Sequence, residues 1–144
     1  MTIRQSIVDA IKAQLLGIST SEGYSFDING RVTEWRDIPI DEKTEDRGID
    51  IRDTVASRTD EEDEQRWLMS VEIELFEVGD TSPAEVRQMT QDIITAVSGV
   101  KDEDYVEGVF VVDAEMDVAK LKHKRISAVM ITFGVHYYAD DWEI

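Results

Sequence analysis

The run RWLMSVEIELFEV, from Arg66 to Val78, constrains the fold more than any other stretch, because Trp67, Met69, Val71, Ile73 and Leu75 recur at every second position. A period of two belongs to a β-strand. The positions between hold Leu68, Ser70, Glu72 and Glu74, so one face suits a core and the other suits water or a partner. Gly79-Asp80-Thr81 then turns the chain, and Ser82-Pro83-Ala84-Glu85 begins a helix with an N-cap serine, a proline in the first position and a glutamate in the third. Val86, Met89, Ile93 and Val97, with Ile94 beside them, form its buried stripe, and Ser98-Gly99 ends it.

The other elements follow from the same reasoning. Thr2 and Gln5 have capping-box spacing, Ile3, Ile7, Ile11 and Leu15 share one helical face, and Gly17 is a natural stop, so a helix is predicted over 3–16 with Arg4, Asp9 and Lys12 turned toward water. Tyr24 to Ile28, the Asn29-Gly30 turn and Arg31 to Arg36 predict a hairpin, with Val32 and Trp35 packing inward and Pro39 ending regular structure. Gly48 to Arg52 alternates as a short strand. From Phe110, the residues Phe110, Val112, Ala114, Met116 and Val118 oppose Asp113, Glu115 and Asp117, predicting a half-buried strand with an acidic outer face. Leu121 to Lys124 makes the turn. Arg125 to Tyr138 returns with Val129, Ile131, Phe133, Val135 and Tyr137 on one face and a second face apolar enough for an interior strand. The expected fold class is α+β: two helices on one face of a mainly antiparallel sheet.

Composition limits the function. At 144 residues the chain fits one domain, and such a domain buries about 70% of the surface its unfolded chain exposes. It has no cysteine, which removes disulfides, thiolate metal sites and cysteine nucleophiles. No apolar stretch approaches a membrane span, and Arg4, Asp9 and Lys12 do not suit a signal peptide. With 32 acidic and 15 basic residues the net charge is −17. Nucleic-acid binding needs clustered Lys and Arg; the basic cluster here, Lys120 to Arg125, is expected to be a solvated hairpin loop.

The chemistry available is sparse. Asp60-Glu61-Glu62-Asp63-Glu64, within the loop Ser57 to Gln65, lacks the alternating ligands and glycine of a calcium loop and is expected to be a mobile, solvated segment. His123 falls in the Lys-rich turn and His136 in the last strand, and neither is accompanied by a nucleophile motif. No enzyme, cofactor or metal site is therefore expected. The candidate interaction residues are Asp60, Glu61, Glu62, Asp63, Glu64, Glu72, Glu74, Asp113, Glu115 and Asp117. On adjacent strands these carboxylates would repel, so their face is expected to be wet or to meet a basic surface.

Taken in order, Val32-Thr33-Glu34-Trp35-Arg36 followed by Pro39, Ile51-Arg52-Asp53, Arg66-Trp67 opening the alternating strand, the Ser-Pro-Ala-Glu helix and Thr132-Phe133-Gly134-Val135-His136-Tyr137 resemble the tail terminator proteins of long-tailed bacteriophages and prophages, of the minor-tail-protein-U type. The likeness spans nearly the whole chain, including Asp140-Asp141-Trp142-Glu143; before Ile51, where the family is more apolar, this chain has Glu45-Asp46-Arg47-Gly48. The resemblance implies a non-enzymatic subunit of the virion tail, assembled in the bacterial cytoplasm. It would form a hexameric ring of identical copies on the tail tube protein, end its polymerisation and meet head-tail connector proteins, with no nucleic acid or membrane as partner. A connector or neck protein of the same module, an acidic DNA-mimic inhibitor and a small hydrolase using His136 are the rival readings.

Overall fold

Two capped helices roof a single sheet. The computed structural model describes residues 2–38, 41, 43–59, 65–121 and 124–140. The first helix, α1, is Ile3–Leu16; the Thr2 hydroxyl accepts the Gln5 N–H at 3.0 Å, and Ile7, Val8, Ile11 and Leu15 are buried. The second, α2, is Pro83–Ser98, where the Ser82 hydroxyl accepts the Glu85 N–H at 3.2 Å. Each cap satisfies an amide that the helix itself leaves unbonded.

The five strands are β1 (Val32–Glu34), β2 (Arg47–Arg58), β3 (Arg66–Val78), β4 (Val106–Leu121) and β5 (Lys124–Tyr138), in the spatial order β1-β2-β3-β5-β4. β1 pairs parallel with β2; every other neighbour is antiparallel. The fold class is α+β, as the element pattern implies. Under the helices lies one core, in which Met69, Val71, Ile73 and Leu75 of β3 are each 0% exposed. Val129, Ile131, Phe133, Val135 and Tyr137 of β5 extend it across the sheet. Each such side chain contributes about 1.5–3 kcal/mol by leaving water, so the β3–β5 pair is the foundation of the domain.

Several expectations fail around the first turn. Asn29 and Gly30 do take positive φ, 52° and 76°, as a tight turn needs. Among the described residues no strand precedes that turn, however, and the short strand after it pairs parallel with β2 instead of folding back. The polar groups of residues 24–28 are committed elsewhere. The Asp27 carboxylate accepts the Thr20 N–H at 2.7 Å, Asp92 on α2 accepts the Ser25 N–H at 2.8 Å, and Phe26 and Ile28 are buried. Trp35, expected to pack inward, has φ 48° and is 54% exposed.

Arg4 is not free in water. It donates to the Asp53 carboxylate at 2.5 Å and to the Asp53 carbonyl at 2.8 Å, tying α1 to β2. β2 also starts at Arg47 and runs through Ser57 and Arg58, which were expected in the loop. Asp60 to Glu64, Pro39 and His123 lie outside the described residues.

A half-buried ion pair anchors the irregular segment. Arg47 Nε and Nη2 donate to the two Glu77 oxygens at 2.7 and 2.9 Å, while Arg47 Nη1 donates to the Asp27 carbonyl at 3.1 Å. The hydrogen bonds that Arg47 donates to Glu77 raise the Arg47 pKa further above its ordinary value, against the effect of burial. The sequence shows two charges far apart; the register places Arg47 directly opposite Glu77.

Candidate functional site

The face of the sheet turned away from the helices collects the predicted carboxylates. On β3, Glu72 pairs in register with Arg52 on one side and Thr132 on the other, and Glu74 lies between Asp50 and Met130. On β4, Asp113 opposes Thr132, Glu115 opposes Met130 and Asp117 opposes Ala128. Two acidic rows therefore flank a strip of Ala128, Met130 and Thr132. The expected strand-to-strand repulsion is relieved because β5 separates the rows by two strand spacings, about 10 Å. That is roughly one screening length at physiological salt. Among the described residues, none of these five carboxylates has an ion-pair or hydrogen-bond partner.

At the β1–β2 end of this face, charges are instead matched. Asp50 is buried and accepts the Thr33 hydroxyl at 2.7 Å, the Arg36 N–H at 3.0 Å and Arg52 Nε at 2.9 Å. Arg36 donates to both Glu45 oxygens, at 2.8 and 2.7 Å, and lies 5.7 Å from the Phe76 ring centre. A cavity of about 310 Å³ opens here, bounded by Arg36, Arg52, Glu74 and Phe76. The alternation Gly48 to Arg52 puts Asp50 on this face. Nothing in the sequence reveals that the Arg36 loop would bury it.

β4 departs most from expectation. It begins at Val106, and its pairing slips between Val111 and Asp113, so Val112 is a bulge. The slip reverses the phase: Phe110 opposes Gly134 on the outer face, while Val111, Ala114, Met116 and Val118 oppose core positions of β5. Phe110 was expected to share a face with Ala114 and Met116; the extra residue makes that impossible. The Phe110 ring instead occupies the space over Gly134, where an added Cβ would lie 2.3 Å from Phe110 Cζ, and sits 5.5 Å from the His136 ring. Nor is the strand half-buried. As the edge strand it has one neighbour, and Phe110 through Lys120 are all exposed. Among the described residues, five of the ten exposed large hydrophobics, Phe110, Val111, Val112, Met116 and Val118, fall here.

Among the described residues, no group of three or more His, Cys, Asp or Glu could hold a metal ion, and no helix is long and apolar enough to cross a membrane. Compared with protein-family models and with curated proteins, the chain matches none.

Proposed function

We propose that the chain is a structural subunit of a bacteriophage tail, assembled in the host cytoplasm, that closes into a ring on the tail tube, halts its growth and offers a surface for head joining. One observation carries this reading. Among the described residues, seven of the ten exposed large hydrophobics lie toward opposite edges of one sheet, Trp35 and Val55 by β1 and β2 and Phe110, Val111, Val112, Met116 and Val118 on β4. A subunit of a closed ring meets its two neighbours through different patches, and clustered apolar exposure marks interaction surface where scattered single residues would not. The order of motifs from Val32 to Tyr137 agrees with it.

The test is to add the purified protein to polymerising tail-tube subunits and measure tube length. Shortened, capped tubes with ring-shaped ends are expected; unchanged lengths at saturating protein would overturn the reading. The unpaired carboxylates of Glu72, Glu74, Asp113, Glu115 and Asp117 favour one alternative, an acidic inhibitor of a basic nucleic-acid-binding enzyme. That reading demands a tight complex whose affinity falls steeply with salt.

A further inference from the structure

The outer edge of β4 is the longest unpaired run of backbone in the described sheet. Beyond the Val112 bulge, Asp113 to Leu121 pairs with β5 without interruption, so the opposite side of the same segment presents a regular row of amides and carbonyls. Such an edge is a template for another strand unless something blunts it. The bulge protects only the part before Asp113, and proline is absent from β4.

The two faces of this segment differ chemically. Asp113, Glu115 and Asp117 project on the outer face with no counter-charge. Ala114, Met116 and Val118 project on the helix side. There, Arg87 and Thr90 of α2 stand off from the strand and leave a cavity of about 220 Å³ with Ala114, Glu115, Met116 and Val129 along its wall. Among the described residues Arg87 has no ion-pair partner either. An added strand would place alternate side chains against the carboxylates and the intervening ones in this cavity. Cations are favoured on the first set, and apolar side chains suit the second, which meets Ala114, Met116 and Val129.

We infer that the Asp113–Val118 edge of β4 accepts an extended segment of another protein, one that alternates basic and apolar residues. The inference deepens the assembly reading above, on which it rests for its biological setting, by naming the chemistry of one partner. A second copy of this chain fits less well. β4 against β4 with the outer faces aligned would set carboxylates against carboxylates. The free part of β2, Arg52 to Arg58, has Asp53 and Ala56 between its two arginines and no basic alternation.

The probe is a capped nine-residue peptide alternating lysine and valine, titrated into the intact protein by calorimetry. Controls are a peptide of the same composition with its lysines in one block, and the alternating peptide N-methylated at every second amide. Saturable one-to-one binding of the alternating peptide is expected, with new protection from hydrogen exchange at Asp113–Val118. N-methylation on the bonding edge should weaken it about tenfold or more by removing several hydrogen bonds. In the protein, Met116→Lys should weaken binding comparably with an unchanged melting temperature, because Met116 is already exposed.

Equal affinity for the block or N-methylated peptide would reduce the contact to charge alone and overturn the inference, as would no binding. Reversible self-association that Met116→Lys abolishes, with no peptide binding, would assign the edge to a second copy and overturn it too. Unchanged tube lengths beside specific peptide binding would sink the tail reading while the docking edge stands.

Discussion

β3 and β4 are written in nearly the same alphabet and come to opposite ends. Both alternate apolar residues with carboxylates, yet Met69, Val71, Ile73 and Leu75 are sealed while Met116 and Val118 are 41% and 47% exposed. The difference lies in neighbours. β3 has β2 on one side and β5 on the other, with helices above; β4 has β5 alone and overhangs the helical roof. Alternation tells which residues share a face, and only while the pairing is unbroken. Coverage of that face is decided by elements far away in the chain.

The comparison predicts a graded set of outcomes. Ile73→Asp buries an uncompensated carboxylate in the centre of the core and should leave the chain unfolded, seen as loss of dispersed NMR signals. Leu75→Ala should cost about 2–5 kcal/mol in chemical denaturation, whereas Met116→Ala should stay within about 0.5 kcal/mol; equal losses would erase the distinction between the strands. Deleting Val112 removes the bulge while leaving Phe110 opposite Gly134 and Asp113 opposite Thr132, so it should change stability by no more than about 1 kcal/mol. Largely unchanged His136 ring-proton shifts check this, because the Phe110 ring should stay beside the His136 ring.

The smallest expected effect is acidic. Burial acts to raise the Asp53 carboxyl, but hydrogen bonds from Trp35 and Arg4 outweigh it and hold the group below its ordinary value. A carboxyl lowered in the folded state contributes stability that is present above the unfolded pKa, about 3.9. That stability is lost as pH falls through the lower folded value. Asp53→Asn should therefore flatten the acid limb of the stability profile measured by denaturation at successive pH values.

Much of this was legible in residues. Thr2 and Ser82 mark both helix starts, and the central strand and its inward face follow from one run of odd positions. What escaped has physical causes. The Tyr24 to Ile28 run resembles a strand by local propensity, but Asp92, a polar residue buried on α2 at 6% exposure, captures Ser25 across 67 positions of sequence. A bulge is one residue among sixteen and leaves no compositional trace at Val112. For the candidate site, membership of the outer face was readable for Glu72, Glu74, Asp113, Glu115 and Asp117; their separation by β5 was not, because strand order is a property of the whole chain.

That strand order also dictates how the protein must be made. β5, the last strand in the sequence, lies between β3 and β4. A growing chain that has completed β4 cannot finish its sheet: β3 has β2 alone, β4 has no neighbour, and the apolar row from Met69 to Leu75 lacks one flank until Tyr138 has emerged. Contacts of such long sequence separation form slowly, and unpaired strand edges are the aggregation-prone species in folding. Like-charge repulsion between the unmatched carboxylates of β3 and β4 disfavours direct pairing of these two waiting strands, and the neutral outer face of β5, Ala128, Met130 and Thr132, lies between them in the finished sheet.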